Sequence, residues 1–223
     1  MQILDNPAWA ALTGPQAAFA DRYGRSARFP ADVSMFAALD DPADPAAWHD
    51  LGALAGSGGE VLVAAPTQTP PAGWTWTGGV PGVQLVAASV AAAPDPEAVV
   101  LTGADVPEIL DLVERTQPGP FRKRTIDLGT YLGIRRDGAL IAMAGERMRL
   151  PGYTEISAVC TDPAFRGAGL ASRLIRAVSA GIQESGAVPF LHTAATNTGA
   201  IRLYEQLGFV LRTDMEFAAY RVP

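Results

Sequence analysis

The sequence predicts a mixed α/β fold, and three observations carry that prediction. Residues 156–174 read ISAVCTDPAFRGAGLASRL, passing from an apolar, β-branched run through an arginine-glycine turn into an amphipathic helix. From Ala98 onward, short strand-like apolar runs alternate with segments of helical spacing. The 223 residues are 48% hydrophobic and 18% charged, long and apolar enough to bury a core.

In chain order, Asn6 to Asp21 predicts one or two short helical pieces around Thr13-Gly14-Pro15. Arg22 to Pro30 is polar and aromatic, and Val33 to Leu39 predicts a short apolar helix or turn. A loop at Asp40 to Pro45 precedes a helix over Ala46 to Leu54, which Gly56 to Gly59 ends. Glu60 to Ala65 reads as a buried strand, Trp74 to Thr77 alternates as a strand does, and Gln84 to Val90 is another. Ala91 to Glu97, AAAPDPE, has the composition of a linker. The expected division is therefore an accessory N-terminal part, 1–95, and a second domain, 96–223.

In the second part, Ala98 to Thr102 predicts a strand and Val106 to Thr116 a helix, with Asp105 as cap and Pro107 in its first turn. Gln117 to Arg124 is a loop. Thr130 to Arg135 and Leu140 to Arg147 predict a hairpin turning at Arg136-Asp137-Gly138. Strands follow at Tyr153 to Cys160 and Val188 to Thr193, separated by a helix over Leu170 to Ile182. Phe209 to Leu211 and Met215 to Val222 complete the set.

Charge and composition narrow the function. Residues 1–96 carry nine acidic side chains against three arginines, and residues 97–223 carry fourteen of each sign, giving the net −6. That balance, without a lysine-arginine stripe, argues against nucleic acid. The acidic half either keeps the surface soluble or attracts a cationic amine. One cysteine, Cys160, excludes an internal disulfide framework, and two histidines scattered over the chain make no metal site. No apolar run reaches membrane-spanning length and no leader pattern opens the sequence, so a cytoplasmic protein is expected.

The turn at Arg166-Gly167-Ala168-Gly169 suits a phosphate or pyrophosphate. Glycines allow close backbone approach, and the N–H groups opening the next helix lack intrahelical partners. A Walker loop is excluded because the single lysine, Lys123, lies elsewhere. A dinucleotide fingerprint fails because Ser172 stands where its third glycine belongs.

Arg166-Gly167-Ala168-Gly169-Leu170-Ala171 resembles the R/Q-x-x-G-x-G/A signature of the GCN5-related N-acetyltransferases (GNAT). Asn197 to Phe209, with Ala200, Tyr204 and Gly208 in register, resembles that family's N-x-x-A-x-x-x-Y-x-x-x-G-F helix. The likeness covers residues 98–222 and is greatest to the glycine N-acyltransferase-like (FR47-like) branch. It implies a mixed, mostly antiparallel sheet flanked by helices, with its fourth and fifth strands splayed apart. It also implies that the N-terminal part is a reduced, degenerate GNAT-like half.

The resemblance assigns roles by position. Val159, Cys160 and Thr161 would pair with the pantetheine arm of acetyl-CoA. The N–H groups of Gly167, Ala168, Gly169, Leu170, Ala171 and Ser172, with Arg166 beside them, would meet its pyrophosphate. Asn197 would either reach the coenzyme arm or cap its helix. Tyr204 would protonate the departing thiolate. His192 is the first candidate for the base and Glu155 the rival. Cys160 has no nearby His or Asp to activate it and reads as a buried strand residue. The segment 117–129 has room for little more than a turn where the family has a second helix, so it departs from the family where the acceptor site is shaped.

The expected function is transfer of an acetyl group from acetyl-CoA to a primary amine in a ternary complex, without metal. A small amine or amino acid is the favoured acceptor. The alternatives are a non-catalytic acyl-CoA sensor and a protein N-acetyltransferase. Partners are confined to coenzyme and amine, with no nucleic acid or membrane; a homodimer is an open alternative.

Overall fold

The computed structural model of the chain describes residues 2–223. Helix α1 (Pro7–Leu12) is opened by Asn6, whose side chain accepts from the Trp9 N–H. A hairpin of β1 (Asp21–Tyr23) and β2 (Ser26–Arg28) leads to β3 (Phe36–Leu39), α2 (Pro45–Ala55) and β4 (Glu60–Ala65). The long β5 (Thr75–Ala87) ends the first half. The second half runs β6 (Val99–Leu101), α3 (Val106–Thr116), β7 (Tyr131–Arg136), β8 (Ala139–Leu150) and β9 (Tyr153–Thr161). Then come α4 (Leu170–Glu184), β10 (Val188–Ala194), α5 (Thr198–Gln206) and β11 (Phe209–Arg221).

Among the described residues the eleven strands form one mixed sheet, ordered β1-β2-β3-β4-β11-β5-β10-β9-β8-β7-β6. The two halves interleave, because β5 of the first lies between β10 and β11 of the second. Three sequence expectations change here. Val33 to Leu39 is not helical: its end is β3, four buried apolar residues paired with β2 and β4. Periodicity cannot assign so short a run. The separate strands expected at 74–77 and 84–90 are one strand through Gly78-Gly79-Val80-Pro81-Gly82. Those glycines serve a close approach, since a Cβ at Gly79 or Gly82 would strike Phe217 of β11. The strands expected at 209–211 and 215–222 are likewise one, with an irregularity at Arg212.

Both sheet faces are covered. Leu170, Leu174, Ile175, Val178 and Ile182 of α4 pack on Ile134, Ile141, Ile156 and Leu191. On the opposite face, Ala8, Ala11 and Leu12 of α1 pack with Phe36, Met148, Phe190 and Met215. Phe190 and Leu191 therefore point to opposite faces, as strand alternation requires, and His192 returns to the Phe190 side. Asp95 in the connecting stretch accepts two 2.7 Å bonds from Arg173 of α4, tying the link to the second half.

Candidate active site

The site begins where two neighbouring strands part. β9 and β10 run parallel and pair only through Tyr153–Ile156 and Val188–Leu191. Beyond that, β10 continues on β5 and β9 stays on β8. A bulge marks the divergence: Ser157 and Cys160 face Gly145 and Met143, so Ala158 and Val159 oppose Ala144 alone. Ala158 takes φ 53°, a left-handed conformation rare for a residue with a Cβ. The bulge thus releases the backbone of Ala158 and Val159 from regular pairing, beside the gap.

A cleft of about 1040 Å³ opens there. Ser157 to Thr161, Arg166, Gly167, Gly169 to Ser172, Asn197 and Tyr204 line it, so the coenzyme-binding and acid candidates converge on one cavity. Ala168 lies within the same turn. Gly167 and Gly169 take φ 83° and 71°, and a Cβ at either would meet nothing within 4 Å. From Gly167 to Ser172 no N–H finds a backbone carbonyl among the described residues; Arg173 N–H is the first to do so, reaching Gly169 O at 3.1 Å. No side chain caps α4. Six consecutive donors at the positive end of a 15-residue helix, in open space, fit a pyrophosphate. Arg166 is exposed, with Nε 3.4 Å from Thr161 O. Thr161 Oγ1 is enclosed without a partner at the cleft edge.

Asn197 does cap α5, its Oδ1 accepting from Ala200 N–H at 3.2 Å, and it lines the cleft as well. Tyr204 is 7% exposed, and burial pushes its phenol up to about 12. Its ring packs edge-on against Phe209, and among the described residues its hydroxyl has no hydrogen-bond partner. Cys160 is buried, and desolvation raises its thiol above the ordinary value, which suits an inert wall residue.

His192 and Glu155 prove to be one unit. Glu155 Oε1 lies 2.7 Å from His192 Nδ1 and accepts from Arg147 Nη2 at 2.6 Å, while Oε2 accepts from Arg147 Nε at 2.9 Å. Gln84 fixes the far side of the ring. Its amide nitrogen donates to Leu4 O and lies 2.9 Å from His192 Nε2; its oxygen accepts from Arg212 Nη1. The ring therefore donates from Nδ1 and accepts at Nε2. Neither residue is presented to the cleft as a free base: both ring nitrogens are engaged, and the two side chains are 3% and 0% exposed.

Burial alone would raise the Glu155 carboxyl, but the Arg147 charge and the hydrogen bonds from His192 and Arg147 outweigh it and lower it from 4.5 to about 2. A carboxyl depressed on folding stabilises the fold above its unfolded value and loses that contribution as pH falls. Stability should therefore decline from about pH 5 toward 2. Glu155→Gln should make that decline shallower by on the order of 2 kcal/mol, read from urea midpoints across pH. An unchanged slope would remove Glu155 from the acid sensitivity.

Sequence reasoning missed Gln84 and four further participants. Arg147 opposes Glu155 because β8 carries a bulge at Arg147-Met148, between the pairs Glu146–Ile156 and Arg149–Thr154. Gln16 repairs that bulge, donating to Arg147 O and accepting from Arg149 N–H. Phe36 and Phe217 meet edge-on with ring centres 6.3 Å apart, Phe217 also packs edge-on against His192, and the Arg147 guanidinium sits 4.8 Å from the Phe36 ring centre. The available signal was charge: Arg147 and Glu155 are opposite charges within strands expected to be buried, each needing a partner.

Among the described residues, no helix is long and apolar enough to cross a membrane, and no group of three His, Cys, Asp or Glu could hold a metal. A family profile described as FR47-like protein matches residues 131–218. The N-alpha-acetyltransferase RimI of Mycobacterium tuberculosis is 34% identical over 95 residues, 41% of this chain and 58% of that protein. A GCN5-related N-acetyltransferase from Kribbella flavida superposes with TM-score 0.65 at 19% identity, over 97% of this chain and 94% of that one, a likeness of fold. The crystal structure of a protein assigned to the GNAT acetyltransferases, from Novosphingobium aromaticivorans, matches with TM-score 0.91 and 40% identity, covering 100% of both chains. Full-length similarity at that identity, added to the splayed strands and the glycine turn, settles kinship: the chain belongs to the GNAT family.

Proposed function

We propose that the protein is an acyltransferase that moves the acetyl group of acetyl-CoA to a primary amine by direct attack within a ternary complex. The observation carrying this reading is the run of unpartnered N–H groups from Gly167 to Ser172, opening into a cleft that continues between β9 and β10. Acetyl-CoA supplies the activated carbonyl as thioester. The turn holds the diphosphate, Val159 to Thr161 pair with the pantetheine amides, and Asn197 flanks the arm while capping α5. The new C–N bond forms as the C–S bond breaks, and the amine proton leaves to water. Tyr204 donates to the departing sulfur. His192 and Glu155 act on the acceptor end by position and charge, because their proton-accepting atoms are already engaged. The first 95 residues act as an accessory part, lining the cleft's far end with Met35, Phe36, Leu62 and Val80. The reaction needs no metal, and we place it in the cytoplasm.

Calorimetric titration with acetyl-CoA should give micromolar affinity, and an amine panel should release free thiol. No coenzyme binding would refute the proposal. Binding without turnover on any amine would favour an acyl-CoA sensor. Similarity to the RimI acetyltransferase supports a second reading, a peptide N-terminus as acceptor.

The rate should rise with pH as the acceptor ammonium deprotonates, and that limb should survive in both His192→Gln and Glu155→Gln. A limb lost only in His192→Gln would make His192 the base after all; one lost only in Glu155→Gln would give the role to Glu155.

A further inference from the structure

The acceptor end of the cleft has a charge pattern that selects among amines. Among the described residues no Asp or Glu lines the cavity; its charged side chains are Arg166, at the glycine turn, and Arg147, at the far end. A site for a polyamine or a lysine side chain would be expected to offer carboxylates to the second ammonium. Glu155 cannot do so, because it is 0% exposed and its oxygens accept from Arg147 and His192. Arg147 is different. Nε and Nη2 are spent on Glu155, whereas Nη1 has no partner among the described residues and is not sealed from the cleft. Around it the walls are apolar: Met35, Phe36, Leu62, Val80 and Phe217.

Resting on the acetyltransferase reading, the geometry points to an acceptor that is an amino acid with a free carboxylate and an apolar side chain. The carboxylate accepts from Arg147 Nη1, the side chain lies against Phe36 and Phe217, and the amine faces the gap between β9 and β10. Arg147 is suited to this because Glu155 and the Phe36 ring hold its guanidinium in place before the acceptor arrives. A peptide N-terminus offers only a neutral carbonyl at that point, and so forgoes the charge-assisted bond.

Three acceptors with the same ring and amine test this on the unaltered enzyme: phenylalanine, phenylalaninamide and 2-phenylethylamine. Phenylalanine should show kcat/KM about 10- to 100-fold above the other two, mainly through KM. The amide's amine deprotonates more readily, so that preference runs against intrinsic reactivity. Binding to the protein saturated with CoA should rank the same way. In Arg147→Gln combined with Glu155→Gln, which removes both charges together, the ratio of kcat/KM for phenylalanine over phenylethylamine should fall to within a few-fold of one, whatever the change does to the two rates themselves. Equal use of the three acceptors, or a preference for the amide or the amine, overturns the carboxylate assignment but leaves the acetyltransferase intact. Failure to bind acetyl-CoA overturns both. Should the double variant not fold, the substrate series decides alone.

Discussion

Gly169→Asp should weaken acetyl-CoA binding by 100-fold or more in calorimetric titration. Gly169 has φ 71° and nothing within 4 Å of where its Cβ would stand, so a new side chain enters the cleft without a clash. Among residues with a Cβ, Asp and Asn tolerate the left-handed region best, so backbone strain stays small. What remains is charge. A carboxylate about 4 Å from a phosphate at an effective dielectric near 20 costs about 4 kcal/mol, more than enough for the stated loss. Gly169→Asn is the control: it has the same shape and similar backbone preference without the charge, and should lose no more than about tenfold. If aspartate and asparagine weaken binding equally, the defect is steric or conformational, and the turn does not hold the diphosphate.

The glycine turn was legible in the sequence because its geometry is local. Contiguous backbone atoms make up the run of unpartnered N–H groups, and glycines mark where that backbone stands clear of side chains. The helix over 106–116 was legible for a similar reason, its early proline and apolar spacing lying within one segment, although Asp105 makes no capping bond and its carboxylate instead accepts from Thr102 and Arg135. Sites assembled by tertiary packing left weaker traces. Gln84, Gln16 and Phe217 read as an unremarkable strand glutamine, a loop polar residue and a strand aromatic. Gln84 and Phe217 reach His192 because β5 crosses between β10 and β11, and Gln16 reaches the β8 bulge from 131 residues away, pairings that no local pattern encodes. The division at residue 95 was read from a proline-rich, acidic stretch, and residues 91–95 lie outside helix and strand. Yet the strand before it and the strands after it share one sheet, with Arg173 clamping the link itself. Composition reports the covalent connection; strand order is decided by which apolar faces find one another.

Removing a single oxygen should have the other large effect: Tyr204→Phe should lower turnover about 10- to 1000-fold while coenzyme affinity stays within a few-fold. The ring is held by packing, edge-on to Phe209 and among the apolar residues under α4 and α5, so its position survives loss of the hydroxyl. The hydroxyl has no hydrogen-bond partner among the described residues and lines the cleft, so removing it strands no protein donor or acceptor. Burial has two consequences for an acid of this kind. With its pKa pushed up to about 12, the phenol remains protonated throughout the neutral range and is always available as a donor. The same shift makes complete proton transfer uphill toward a thiolate whose conjugate acid lies near 8.5, so in the proposed reaction Tyr204 would act chiefly by hydrogen bonding to the sulfur as charge develops there. The pH profile separates this from a role in packing. The protonated form is lost only as pH rises through about 12, so Tyr204 should impose no descending limb on wild-type turnover below about pH 11. Tyr204→Phe should lower the rate by the same factor at every pH down to the acid limb. Unchanged turnover in that variant would mean water protonates the leaving group. A loss of coenzyme affinity as large as the loss of turnover would make Tyr204 a binding residue.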